Sequence, residues 1–356
     1  MISNKHLGNI EDFPEFDNHE EVLFFSDKKS GLRSFIAIHS TVLGPATGGT
    51  RCFHYRSELD ALKDALRLSR SMTYKCALAR VPFGGGKGVI LLRADQKKTS
   101  ALIAAYAKKV NTLDGRFSTG EDVGLTEHDV SVMEKVSPYI NGPRASGELG
   151  SWAALGVFMA MKSALKELFD SSSFEYRTFA IKGVGKVGSE LCDLINKNGG
   201  QIVVADIDPA VIKRIKKNYP GIKIVSPRTI HRERVDVYAP CAMGNEFNLE
   251  NISEVRSKII CGAANNQLTA TVVGKKMHDQ GILYVPDYVA NAGGLINAVA
   301  HLIKGSHPKS WVKKKVGGIE KTTASLIALS KKSKKPMSEV SDHLAEAIIK
   351  KHKNKN

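Results

Sequence analysis

The chain has 356 residues, 42% hydrophobic and 25% charged, with a formal net charge of +16. That length predicts two domains, and the balance is that of a soluble globular protein, which excludes disordered and collagenous classes. No apolar run reaches the roughly 18 residues a membrane helix needs, and "MISNKHLGNIEDF" lacks the charged-then-apolar order of a signal peptide. Cys52, Cys76, Cys192, Cys241 and Cys261 form no C-x-x-C pair and no metal spacing. They read as reduced thiols of a cytoplasmic protein, with no metal expected.

In chain order, "EEVLFFSDKKSGLRSFIAIHSTVLG" alternates and is rich in β-branched and aromatic residues, so it predicts two or more strands. "SELDALKDALRLSRSMTYKCALA" has helical spacing with Ser57 as N-cap, which puts Lys75 near a helix C-terminus. Gly84, Gly85 and Gly86 then predict a tight turn into the strand "KGVILL", headed by Lys87. A P-loop is excluded, because Val81 stands where its first glycine belongs and Gly88 follows the lysine. The plain alternative leaves Lys87 in water. "SALIAAYAKKVNTLDG" reads as a helix ending at Gly115.

The Gly/Pro/Ser-rich loop "YINGPRASGELGS" marks a domain boundary, drawn between residues 143 and 144. After the amphipathic helix "WAALGVFMAMKSALKELF", short buried strands alternate with helices: "TFAIKGVG", "QIVVADID", "IKIVS", "VDVYAP", "KIICGAA", "ILYVPD". That pattern predicts a parallel doubly wound sheet over 144–310, and helices from about 311 to 356 are expected to return to the first domain. From Lys304 onward fourteen lysines face four acids, so +10 of the charge sits there. The runs lack interleaved aromatics, so a solvated face is favoured over a nucleic-acid patch.

"FAIKGVGKVGSELCDLINKNGGQIVVADID" carries G-x-G-x-x-G at Gly183, Gly185 and Gly188, between a strand and a helix, with Asp206 ending the next strand. This is the dinucleotide fingerprint. Gly183 permits the turn, Gly185 lets the pyrophosphate approach beside Lys186 and Val187, and Gly188 allows close helix–strand packing. Asp206 would accept from the adenosine ribose and repel a 2′-phosphate, favouring NAD over NADP. The alternative is a structural glycine turn with no cofactor.

The ordered set "GPATGGTR…MTYK…GGGKGV…EDVG…GVGKVG…ANNQL…PDYVANAGG" resembles the amino acid dehydrogenase superfamily of glutamate, leucine, phenylalanine and valine dehydrogenases, from about Leu43 to Val299, and most the leucine branch. The resemblance implies an α/β substrate domain over 1–143, a Rossmann domain, and an active site in the cleft between them. It implies NAD-dependent oxidative deamination of a branched-chain aliphatic L-amino acid by a homo-oligomer. Lys75 would clamp the α-carboxylate, Lys87 would be the general base toward water, and Asp122 would shuttle protons at the amino nitrogen. A helix N-cap ahead of "LTEHDV" is the plain alternative for Asp122. Gly48 and Gly49 would lend backbone contacts, and Asn265 would reach the substrate or the nicotinamide ribose, or be a turn residue. The pocket lining falls on Thr47, Gly120, Leu295 and Ala298. Ala153 stands where the family places a threonine toward the nicotinamide carboxamide, with Ser151 nearby as a substitute. The rivals are a phenylalanine or valine dehydrogenase, or a Rossmann protein whose basic tail binds a partner.

Overall fold

A computed structural model describes residues 9–142, 149–305 and 308–354. The chain divides into two compact units, residues 1–147 with 345–356, and residues 148–344. The expected boundary at 143/144 lies outside the described residues.

In the first unit β1 (Glu21–Asp27) and β2 (Leu32–Ser40) form an antiparallel hairpin, and β2 continues antiparallel onto β5 (Gly84–Leu92). The parallel strands β3 (Ala46–Thr47), β6 (Phe117–Gly120) and β7 (Ile140–Asn141) complete the sheet in the order β1-β2-β5-β3-β6-β7, and β4 (Thr50–His54) also pairs with β5. The pleat sends alternate residues to opposite faces. Phe35, Ala37, Val89 and Leu91 pack with Ala61, Leu62, Ala65 and Leu66 of α1 (Glu58–Ala79). Ile36, Ile38, Ile90 and Leu92 pack on the other side against Leu102, Ile103 and Tyr106 of α2 (Ser100–Asn111), and α3 (Glu127–Glu134) adds Val130 and Met133. The Ser57 side chain caps α1 by accepting from the Asp60 amide at 3.1 Å.

The triple glycine is not a turn. Gly84, Gly85 and Gly86 are the buried first residues of β5, the strand that α1 covers. The turn lies earlier, where Arg80 ends α1 at φ +53°. A Cβ on Gly84 would sit 1.9 Å from the Ser40 carbonyl, and one on Gly85 2.1 Å from the Thr73 amide. Glycine is there because backbones touch on both sides.

The second unit begins with α4 (Leu149–Phe169). Its sheet runs β10 (Lys223–Ile224), β9 (Gln201–Ala205), β8 (Thr178–Lys182), β11 (Val237–Pro240), β12 (Ile259–Ile260), β13 (Leu283–Tyr284), all parallel. That is the 3-2-1-4-5-6 doubly wound order, with its switch point between β8 and β11. Its helices include α5 (Lys186–Lys197), α6 (Pro209–Asn218), α7 (Thr271–Asp279), α8 (Asp287–Ala290) and α9 (Ala292–Lys304).

The expected C-terminal return is shorter than the sequence suggests. Helix α10 (Lys309–Ser333) packs on α4 and α9, burying Val312, Val316, Ile319, Leu326 and Ile327 within the second unit. The Ser163 hydroxyl of α4 donates to the Glu320 carbonyl at 2.6 Å. Only from Ala345, within α11 (Met337–Lys353), does the chain group with the first unit. There the Tyr74 hydroxyl donates to Glu346 Oε1 at 2.9 Å. Among the described residues no helix is long and apolar enough to cross a membrane.

Candidate active site

Lys87 has the strand parity of Val89 and Leu91, so its side chain lies on the α1 side of the sheet. It is 4% exposed, which rules out the solvated reading. Its Nζ donates to Asp122 Oδ2 in a buried ion pair. Burial alone would push the Asp122 carboxyl up. The Lys87 ammonium, the Arg51 guanidinium and the Val123 amide, which donates to Oδ1 at 2.7 Å, outweigh it and hold Asp122 well below the usual carboxylate range. Asp122 is not a helix cap. Thr126 caps α3 in a capping box with Asp129, leaving Asp122 free for its partner in β5.

Glycines fix the loops around this pair. A Cβ on Gly48 would lie 1.9 Å from the Gly86 carbonyl and 3.3 Å from Met72 Cγ of α1, and one on Gly49 would lie 2.9 Å from Asp122 Cβ. Gly124 sits at φ +84°, with the Cys52 carbonyl 1.7 Å from any Cβ, and its own carbonyl accepts from Lys98 Nζ at 2.6 Å. Lys75 is buried, near the end of α1 and on the same side of the sheet as Lys87. The first unit thus brings Lys87, Asp122, Gly48 and Gly49 into one place, with Lys75 on the helix beside them.

Of the residues expected to line the pocket, Thr47 and Gly120 belong to the first unit and Leu295 and Ala298 to the second. Thr47 is buried, and its Oγ1 accepts from the Ser118 hydroxyl at 3.1 Å, which in turn accepts from Asn141 Nδ2 at 3.3 Å. A Cβ on Gly120 would meet the Asn141 carbonyl at 2.4 Å, so its small size has a backbone cause. Leu295 and Ala298 are half-buried and three residues apart on α9, hence on one face.

Asn265 is half-buried, and its Oδ1 accepts from Asn291 Nδ2 at 2.8 Å. Asn266 beside it takes φ +52° and donates its amide to Asp287 Oδ2 at 3.1 Å. Asn291 and Asp287 hold this turn and went unassigned in the sequence, where "PDYVANAGG" does not say which side chains turn inward.

Gly183 has φ +87°, and a Cβ there would strike Ala242 at 2.8 Å. One on Gly188 would lie 1.9 Å from the Gly183 carbonyl. Gly185 differs, since no heavy atom comes within 4 Å of its Cβ position. It is the N-cap of α5 with no side-chain cap, so no side chain occupies the helix start, where exposed Lys186 and half-buried Val187 follow. That cradle fits a pyrophosphate. Asp206 Oδ2 accepts from the Val184 amide at 2.7 Å and Oδ1 from the Asp208 amide at 2.9 Å, so the carboxylate also pins the glycine loop. Each oxygen keeps a lone pair for a ribose hydroxyl. Ala153 lies 3.5 Å from the Cβ position of Gly294, and a Cβ on Gly293 would be 1.9 Å from the Trp152 carbonyl. The start of α4 packs tightly on α9, which suits an alanine at 153.

A parallel sheet of this order with this glycine loop is a dinucleotide-binding domain. The model of the Glu/Leu/Phe/Val dehydrogenase dimerisation domain matches residues 19–142, and that of the Glutamate/Leucine/Phenylalanine/Valine dehydrogenases matches 208–350. The leucine dehydrogenase of Geobacillus stearothermophilus is 40% identical over 95% of this chain and 92% of its own. The phenylalanine dehydrogenase of Lysinibacillus sphaericus is 40% identical over 85% and 81%. The crystal structure of L-tryptophan dehydrogenase from Nostoc punctiforme superposes with a TM-score of 0.79 at 38% identity, covering 95% of this chain and 97% of that one. The chain belongs to the Glu/Leu/Phe/Val dehydrogenase family, and it is an NAD-dependent amino acid dehydrogenase.

Proposed function

We propose that the chain catalyses reversible oxidative deamination of branched-chain aliphatic L-amino acids, leucine foremost, to the 2-keto acid and ammonia. The observation that carries the chemistry is the buried Lys87–Asp122 pair beneath the Gly48–Gly49 loop. The Lys75 ammonium binds the α-carboxylate. Asp122 takes a proton from the substrate nitrogen. Gly183, Gly185, Gly188 and Asp206 would hold NAD, which would supply the hydride acceptor for Cα. Lys87 then takes the proton of the water that attacks the iminium carbon. Asn265 orients the substrate or the nicotinamide ribose.

The side-chain preference rests on Thr47, Gly120, Leu295 and Ala298, none of which is charged. Burying glutamate's second carboxylate without a cation costs several kcal/mol. The Thr47 hydroxyl is already engaged by Ser118, so it leaves an apolar methyl. Each methylene buried against Leu295 contributes about 0.8 kcal/mol. Valine and isoleucine follow leucine, and phenylalanine comes next. The family description of a dimerisation domain supports a homo-oligomer, and buried free thiols support a cytoplasmic setting. The lysine-rich tail, whose lysines are mostly exposed and lack interleaved aromatics, is read as a solvated face in preference to a nucleic-acid patch. Comparing kcat/KM for leucine, phenylalanine, tryptophan and glutamate tests this. Leucine should lead. Glutamate in first place overturns the pocket reading, and an aromatic in first place moves the chain to the aromatic branch.

A further inference from the structure

Arg51 closes the Gly-Gly-Thr-Arg stretch that gives the site its two glycines. Thr50 bridges Glu121 in parallel, and the Cys52 amide donates to the Val123 carbonyl at 2.9 Å, so residue 51 is set opposite residue 122. The Arg51 side chain is 15% exposed. Its Nη1 donates to Asp64 Oδ2 of α1 at 2.8 Å, and the Tyr55 hydroxyl donates to the same oxygen at 2.6 Å. Its buried Nε has no hydrogen-bond partner. A tie between β4 and α1 needs no buried guanidinium with an orphan N–H, since apolar side chains of that volume pack as well or better.

Asp122 explains the charge. Its direct partner, Lys87, must lose and regain a proton in every turnover if it serves as the base. A guanidinium does not deprotonate in proteins. We propose that Arg51 is a positioning residue for proton transfer, a permanent cation that keeps Asp122 an anion while Lys87 is a neutral amine. The step it supports moves one proton from the substrate ammonium to the Asp122 carboxylate, leaving a neutral amine and a neutral carboxyl. The influence runs through the field, because Arg51 Nη1 is committed to Asp64, and Asp122 to Lys87 and the Val123 amide. It is mutual: burial works against the Arg51 charge, and the Asp122 and Asp64 carboxylates restore it and raise its pKa above the usual value. Of the other titratable groups, Tyr55 donates to the same Asp64 oxygen and burial holds its hydroxyl far above its usual range, Glu121 precedes Asp122 in the chain, and Lys75 lies on α1.

The inference rests on Asp122 being the proton shuttle, so the test separates the two. Arg51→Met and Arg51→Lys are made in the full chain, alone and with Asp122→Asn, and assayed with NAD and the best amino acid across pH. Arg51→Met should lower kcat about tenfold and move the acid limb of its pH profile up by about one unit, because the coupled Asp122–Lys87 pair, relieved of a fixed cation, keeps its proton to higher pH. Arg51→Lys should return the limb toward wild type. Beside Asp122→Asn, Arg51→Met should cost little more. NAD binding, read by fluorescence titration, should not change. If Arg51→Met does not fold, Arg51→Met with Asp64→Asn removes the stranded carboxylate and carries the same test. An unmoved limb in folded Arg51→Met, or the same shift in Arg51→Lys, overturns the role of Arg51. An active Asp122→Asn enzyme overturns the shuttle itself.

Discussion

The two units build their sites from opposite materials. In the first, charged side chains are paired before any substrate arrives: buried Lys87 with Asp122, and half-buried Arg51 with Asp64. In the second, the site is backbone and space: uncapped helix amides, a glycine with nothing near it, and one carboxylate that pins the loop. The difference follows the work. Proton transfer needs groups of fixed charge at fixed places in a dry setting. Holding a pyrophosphate needs donors and room.

The largest test of that contrast is at the paired charges. Lys87→Ala should lower kcat by about 10²–10⁴-fold while NAD binding, read by fluorescence titration, stays near wild type. Turnover above about a tenth of wild type would remove Lys87 from the base role.

Next come the glycines, where one substitution should act differently in the two units. Gly48→Ala puts a methyl 1.9 Å from the Gly86 carbonyl, a backbone atom that cannot swing aside. It should cost about 1–3 kcal/mol of stability, read as a lowered urea midpoint, and slow turnover with it. Gly185→Ala meets nothing within 4 Å, so the fold should hold. Its methyl instead enters the space for the pyrophosphate, and Kd for NAD should rise about tenfold. Equal stability loss in both would erase the distinction between packing glycines and ligand glycines.

A smaller effect is expected at Asp206. Asp206→Ala removes the charge that repels a 2′-phosphate, so the NADP/NAD ratio of kcat/KM should rise. Absolute affinity for both should fall, because the Val184 and Asp208 amides lose their acceptor. A wild type that prefers NADP, or a ratio that does not move, would refute the ribose assignment.

The smallest effect lies outside the chemistry. His19 is buried, donating from Nε2 to the Leu66 carbonyl at 3.1 Å and accepting the Asp17 amide on Nδ1 at 3.1 Å. Burial first, then nearby His39, pushes its pKa from 6.5 down to about 4. The unfolded chain therefore binds more protons between those values. His19 stabilises the fold fully above pH 6.5, and that stability, at most a few kcal/mol, fades as pH falls toward 4. Urea midpoints at pH 7 and pH 5 should differ less in His19→Gln than in wild type, and an unchanged difference would exclude His19 as the source.

Local pattern carried much of this protein. Strand–glycine–helix spacing around Gly183 and the terminal Asp206 are set by neighbours in sequence, and so are the Ser57 cap and the helix bearing Lys75. These rest on periodicity and short-range hydrogen bonds, which a sequence displays directly. Tertiary packing decided the rest. Gly84–Gly86 look like a turn in sequence, yet they form the start of a central strand because α1 and the neighbouring backbones press on them. Asp122 looks like a cap, yet its partner is a lysine 35 residues earlier in the chain, and the cap is Thr126. The C-terminal helix α10 is amphipathic in sequence, but which unit covers its apolar face is settled by α4 and α9. Arg51 acquires its setting only when β4 lies beside residues 121–123 and its guanidinium meets α1. A one-dimensional pattern fixes which face of an element is apolar and where it starts. Which faces meet, and so which charges come to share one buried space, is fixed by the packing of elements far apart in the chain.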